Sequence, residues 1–234
     1  MSTTRQPQPI VVLACSVMRE LVGPRLSGSG VPEIYMDYGL HERPKRMAPA
    51  LQEQLDALPS PRTVLLGYGL CGAGLAGLRA GSHTLIIPRT HDCIAILLGS
   101  HQEYLRIQAE RPGTYYLTRG WLESDNHPLG QYRAYLDRYG EDGARHVIDA
   151  MYSNYTDLVY LAPTQEELEE CRPRVREVAE FCAARWSMSY AEIVGSAAMI
   201  DALLEAPRSP IGISEDFLVI PPGGRVESRM FLRD

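Results

Sequence analysis

Three short apolar runs constrain any fold this chain can adopt: residues 10–14 (IVVLA), 63–66 (TVLL) and 84–87 (TLII). Each is too short and too rich in β-branched residues to favour a helix, and each reads as a buried strand. Each also runs on into a turn that carries a thiol: Cys15 after the first, Cys71 after the second, and His91-Asp92-Cys93 after the third. A strand followed at once by a cysteine, three times over, points to a site assembled from strand-exit loops.

The segments between these runs carry helical signals. Met47, Leu51, Leu55 and Leu58 recur at helical spacing, with Pro44 suited to the first turn and Pro59 and Pro61 ending the helix. Asp92 is placed to cap a helix over 93–98, and a further helix is predicted over 101–109. Thr164 with Glu167 three residues on forms a capping-box pattern that opens a long helix to about Trp186. Amphipathic stretches at 128–139 and 141–154 predict two helices broken at Gly140, and a last helix is expected over 191–204. Further strands are expected at 33–38, 114–118, 157–161 and 217–220, and residues 1–8 read as a loose polar tail. Strands alternating with helices indicate an α/β, Rossmann-like three-layer fold, with a mostly parallel sheet and a small helical insert. At 234 residues the expectation is a single α/β domain over 1–234, with a helical insert or lid at 125–154.

A 45% apolar content is enough for a core, while a net charge of −6 with no basic block argues against nucleic acid as a partner. No run approaches the ~18 apolar residues of a membrane span. The short apolar run near the start lacks the length of a secretion signal, so a cytoplasmic protein is expected. Five cysteines, an odd number, then favour thiols that are buried, reactive or metal-bound over a disulfide framework.

In an open α/β sheet, ligands bind beyond the carboxyl ends of the strands, where the strand order reverses. If the strands before Cys15, Cys71 and Cys93 are neighbours, ~4.8 Å apart, their exit loops bring three thiols within reach of one metal. Thiolates suit zinc, and equally an iron–sulfur cluster with one iron left open. His91 and Asp92 are the candidate catalytic groups, His91 as a substitute ligand or orienting group and Asp92 as a general base or ligand partner. Each cysteine taken alone also reads as a small buried hydrophobe, and Cys171 and Cys182, eleven apart on one helix, read that way best.

The glycine run 67–81 has two readings. It can cradle an anion, making Gly69 and Gly72 candidate substrate contacts, or it can let the backbone pack tightly around Cys71. The Gly72-x-Gly74-x-x-Gly77 match lacks the rest of a dinucleotide or P-loop fingerprint, which argues against a nucleotide. Arg119 and Trp121, leaving the strand at 114–118, are further candidate substrate contacts. Arg119 can hold a carboxylate or phosphate, or form a structural ion pair.

The segment GYGLCGAGLAGLRAGSHTLIIPRTHDCIAILLGS resembles the family DUF1638, a domain of unknown function in archaea and bacteria. VVLAC, YMDYGLH, GTYYLTRGW, YSNYTDLVYL and FLVIPPG extend that resemblance over roughly residues 10–222. Where that family often reads Asp-Asp-Cys, this chain has His91-Asp92-Cys93, which favours Cys93 and Asp92 over His91. The resemblance implies an association with corrinoid-dependent methyl transfer. The expectation is therefore a metal-binding protein, zinc or iron–sulfur, with a small-molecule substrate or a corrinoid-related protein partner. A non-catalytic carrier for a metallocofactor is the alternative, and thiol redox chemistry between Cys71 and Cys93 a further one.

Overall fold

The computed structural model describes residues 8–59, 61–208 and 215–232, so most of the expected N-terminal tail lies outside the described residues. In chain order the elements are β1 (Ile10–Cys15), α1 (Arg19–Leu26), β2 (Glu33–Met36), α2 (Pro44–Asp56), β3 (Thr63–Gly67), β4 (Thr84–Pro88), α3 (Cys93–Leu98), α4 (His101–Glu110), β5 (Thr114–Leu117), α5 (Arg119–Glu123), α6 (Pro128–Tyr152), β6 (Asp157–Ala162), α7 (Gln165–Trp186), β7 (Ser189–Val194), α8 (Ala198–Glu205) and β8 (Phe217–Ile220). The expected mixed α/β architecture, a mostly parallel sheet with flanking helices, is present. The strands divide between two sheets, and the chain forms two compact units: Met1–His101 with Ala197–Asp234, and Gln102–Ser196.

The first unit holds a five-stranded sheet in the order β2-β1-β3-β4-β8. Its first four strands are parallel, and β8 runs antiparallel to β4. Both faces are covered, which is why β1, β3 and β4 read as unbroken apolar runs. On one face Val11, Leu13, Val64, Leu66, Leu85 and Ile87 pack with Met47, Leu51 and Leu55 of α2. The intervening Val12, Ala14, Leu65 and Ile86 are buried too, and the two-residue period of a strand turns them the other way. The α8 helix, with Met199, Ile200 and Leu203 buried, packs on β3 and β4.

The second unit holds the parallel sheet β5-β6-β7. Leu117, Leu158, Tyr160 and Ala162 pack against Ile148 and Tyr152 of α6 and Leu168, Cys171, Val175, Val178 and Cys182 of α7. Cys171 and Cys182 are core residues, as their shared helical face suggested, and burial pushes the Cys182 thiol up to about 12. The backbone N–H of Glu167 donates to the Thr164 hydroxyl at 3.2 Å, half of the expected capping box. The break expected at Gly140 is a bend within α6, where glycine alone takes φ 69° and ψ −179° without penalty.

The helix expected over 191–204 is not one helix. Ser189–Val194 is strand β7, paired in parallel with β6 from Asp157↔Ser189 to Ala162↔Val194, and the helix starts only at Ala198. The apolar-rich stretch from Ala191 onward mimics a helical pattern. A left-handed Ser187 (φ 59°) ends α7, and the open edge of β6 then captures Ser189–Val194. Among the described residues no helix is long and apolar enough to cross a membrane.

The start of α6 makes a pH prediction. His127 is its N-cap, and its Nδ1 accepts from the Gly130 N–H at 3.3 Å, which requires an unprotonated Nδ1. Burial lowers the His127 pKa below its ordinary 6.5, against a smaller opposing pull from Asp125. The unfolded chain therefore takes up this proton first. The cap's contribution is complete above the unfolded value and is lost as pH falls through the lowered folded one. Denaturant unfolding at pH 7.5 and 5.5 is expected to show a loss of stability at the lower pH that shrinks in His127→Asn, whose amide caps at both.

Candidate metal centre

The assumption that made three thiols one site holds: β1, β3 and β4 are neighbours in the sheet. From β1 the chain moves to β2 on one side and then to β3 and β4 on the other. The strand order thus reverses beside β1, the place at the carboxyl edge where open α/β sheets bind their ligands. Cys15 ends β1 and is fully buried, Cys71 lies four residues past β3 and is buried, and Cys93 is the half-buried first residue of α3.

Two loops are locked together to set Cys71 beside Cys93. The Leu70 N–H donates to the Thr90 carbonyl and the Cys71 N–H to the His91 carbonyl, both at 2.9 Å. Gly69 permits this approach, because a Cβ there would fall 2.7 Å from both the Asp92 carbonyl oxygen and the Thr90 hydroxyl. Beyond it, Cys71 (φ 49°), Gly72 (φ 63°) and Ala73 (φ 65°) form a left-handed turn. Non-glycine residues hold that conformation at a cost of order 1 kcal/mol or more, and such strain persists where surrounding structure enforces it. The glycines around Cys71 thus serve close packing: a Cβ on Gly74 would meet the Met47 sulfur at 2.7 Å.

A histidine completes the arrangement. After β2 the Asp37 carboxylate accepts from the Gly39 N–H at 2.7 Å and caps a short 3₁₀ turn, Tyr38–Glu42, that carries His41. Because β2 pairs with β1, with Cys15 opposite Met36, this turn lies next to Cys15. The ligand atoms of His41, Cys71 and Cys93 all lie within 4.8 Å of one another. His41 Nε2 is 3.9 Å from Cys93 Sγ and 3.4 Å from Cys15 Sγ. A tetrahedral zinc site separates thiolate from imidazole nitrogen by about 3.6 Å and two thiolates by about 3.8 Å. The His41–Cys93 separation is near that spacing and the 4.8 Å limit on the trio is wider, while Cys15 stands beside His41 outside the trio.

The same proximity shapes the charges. Burial opposes protonation of His41, but hydrogen bonding to Cys15 and Cys93 outweighs it and pushes the imidazole up to about 11. The Cys93 thiol is pushed well up by its hydrogen bond with Cys71 and then by burial, against a pull from His41 in the other direction. His41 and Cys93 therefore favour their protonated forms, and a metal cation bound there would take the place of those protons.

The other sequence candidates fall as follows. Asp92 caps α3, its carboxylate accepting from the Ile94 N–H at 3.0 Å. His91 is exposed, offers its carbonyl to Cys71, and has its ring 6.0 Å from that of His101. Gly69 and Gly72 belong to the Cys71 loop. Arg119 and Trp121 belong to the second unit, where Arg119 pairs with Glu123 at 2.8 Å and Glu170 at 2.6 Å, and Trp121 packs against the core. His41 escaped a reading that followed thiols, yet it obeys the same rule as they do, sitting in the exit loop of a strand adjacent to β1.

Fold and site together define an α/β protein with a histidine and two cysteines gathered at the carboxyl edge of its larger sheet. The family model described as "Protein of unknown function (DUF1638)" matches residues 35–203, and the chain belongs to that family. The matched stretch contains His41, Cys71 and Cys93 and begins beyond Cys15. No curated protein and no solved structure gives a significant match.

Proposed function

We propose that this protein binds one transition-metal ion, zinc in preference, through His41, Cys71 and Cys93, and that the fourth position is open to a small molecule. The observation that carries this reading is the approach of the three ligand atoms to within 4.8 Å of one another. One nitrogen and two sulfurs match the borderline-soft character of zinc, and two thiolates balance its charge. Three protein ligands and an open position is the pattern of reactive rather than purely structural zinc. An iron–sulfur cluster spreads its thiolates over several irons and usually takes four of them, which fits this compact trio less well. Zinc so held lowers the pKa of a bound thiol or water and makes it a nucleophile near neutral pH. An expected tie to methyl transfer would draw on that property.

Elemental analysis of anaerobically purified protein tests the proposal. About one zinc per chain and a colourless solution are expected. Stoichiometric iron with visible absorption would replace zinc by a cluster, and a chain that neither carries nor takes up metal would contradict the reading. The approach of the Cys71 and Cys93 sulfurs to within 4.8 Å favours a second reading, disulfide formation. Peroxide would then remove two thiols per metal-free chain, with two electrons and two protons passing to peroxide to give water, and a dithiol reductant would restore them.

A further inference from the structure

Tyr68 is not accounted for by the metal ligands. It lies one residue past β3 and three before Cys71, is fully buried, and packs in the same core cluster as Cys15 and Cys71. Its hydroxyl is itself buried and, among the described residues, has no hydrogen-bond partner. Buried tyrosine hydroxyls ordinarily find one, because a buried donor left unmade forfeits its hydration. Phenylalanine would have served the packing alone.

Tyr68 sits in the same buried cluster as Cys15 and Cys71, and burial, followed by the charges of Cys15, Cys71, Cys93 and Asp37, raises its pKa, so the phenol stays protonated as a donor. Two thiolates already neutralise a divalent ion, so a fourth, anionic ligand would leave a buried negative charge. Such a charge is tolerable where a fixed donor meets it. A soft nitrogen-and-sulfur donor set also favours a soft fourth ligand over a hard one.

Resting on the metal reading above, we propose that the open position takes a small thiol, bound as the thiolate, whose sulfur accepts a hydrogen bond from the Tyr68 hydroxyl. The pairing is selective. Imidazole can fill a coordination position, but once bound it presents only a donor N–H and offers the Tyr68 O–H no acceptor. Formate would bind through a harder oxygen.

The test uses the full chain loaded with cobalt(II) in place of zinc, with 2-mercaptoethanol, formate and imidazole as probes and the visible cobalt bands as the readout. Tyr68→Phe is expected to weaken 2-mercaptoethanol by about tenfold or more, as for loss of a hydrogen bond to a charged group, and to leave imidazole unchanged. Metal-free Tyr68→Phe is expected to unfold at the same or a higher denaturant concentration than the parent, since it removes an unpartnered polar group. Equal 2-mercaptoethanol affinity in the two proteins, a Tyr68 effect on formate alone, or clear destabilisation of the metal-free variant would each overturn the inference and leave the metal reading standing. Failure of the parent protein to bind cobalt would overturn the metal reading, and this inference with it.

Discussion

Replacing Cys71 or Cys93 by serine, or His41 by alanine, is expected to lower zinc affinity by more than about 100-fold, measured by competition with a chromogenic chelator. Loss of a residue that only orients a metal ligand costs about 10–100-fold, and loss of a ligand itself costs more. The three donor atoms lie within 4.8 Å of one another, and on the zinc reading each single loss would leave two, too few to hold the ion against water. Cys15→Ser is the informative contrast. Cys15 Sγ lies 3.4 Å from His41 Nε2 but outside the trio, so its loss is expected to fall within the 10–100-fold range. Equal losses at Cys15, Cys71 and Cys93 would instead put all three thiols on the metal.

Gly69→Ala is expected to damage fold and site together. Its new Cβ would lie 2.7 Å from the Asp92 carbonyl oxygen and 2.8 Å from its carbonyl carbon. These are backbone atoms between Thr90 and α3, with no flexible side-chain end to yield. Relief requires the two loops to part, which weakens the Leu70–Thr90 and Cys71–His91 backbone hydrogen bonds. Overpacking of this kind costs about 1–3 kcal/mol, a fall of roughly 2–12 °C in the unfolding midpoint at 2–4 °C per kcal/mol. Because the same hydrogen bonds place Cys71 beside Cys93, zinc affinity is expected to fall in the same variant although no ligand has changed. A variant that melts normally and binds zinc normally would show that the loop contact does not position the thiols.

The parts of this architecture that sequence could show are those carried by single residues or short patterns. The runs that became β1, β3 and β4 announce themselves because burial on both faces leaves no room for polar residues. Thr164 and the Gly140 break act through local backbone geometry and are equally visible. β7 was hidden because what makes it a strand is the open edge of β6, a partner more than thirty residues earlier in the chain. His41 was hidden for a related reason. Nothing in YMDYGLH marks the histidine until β2 is known to lie beside β1, which brings the exit loop of β2 to Cys15. The role of Gly69 likewise depends on Asp92, which lies on another loop.

X-ray absorption at the zinc edge of the loaded protein counts the atoms on the metal. Two sulfurs at about 2.3 Å and one imidazole nitrogen at about 2.0–2.1 Å are expected, with one further light atom in the open position. A shell of oxygen and nitrogen alone would contradict zinc binding by His41, Cys71 and Cys93.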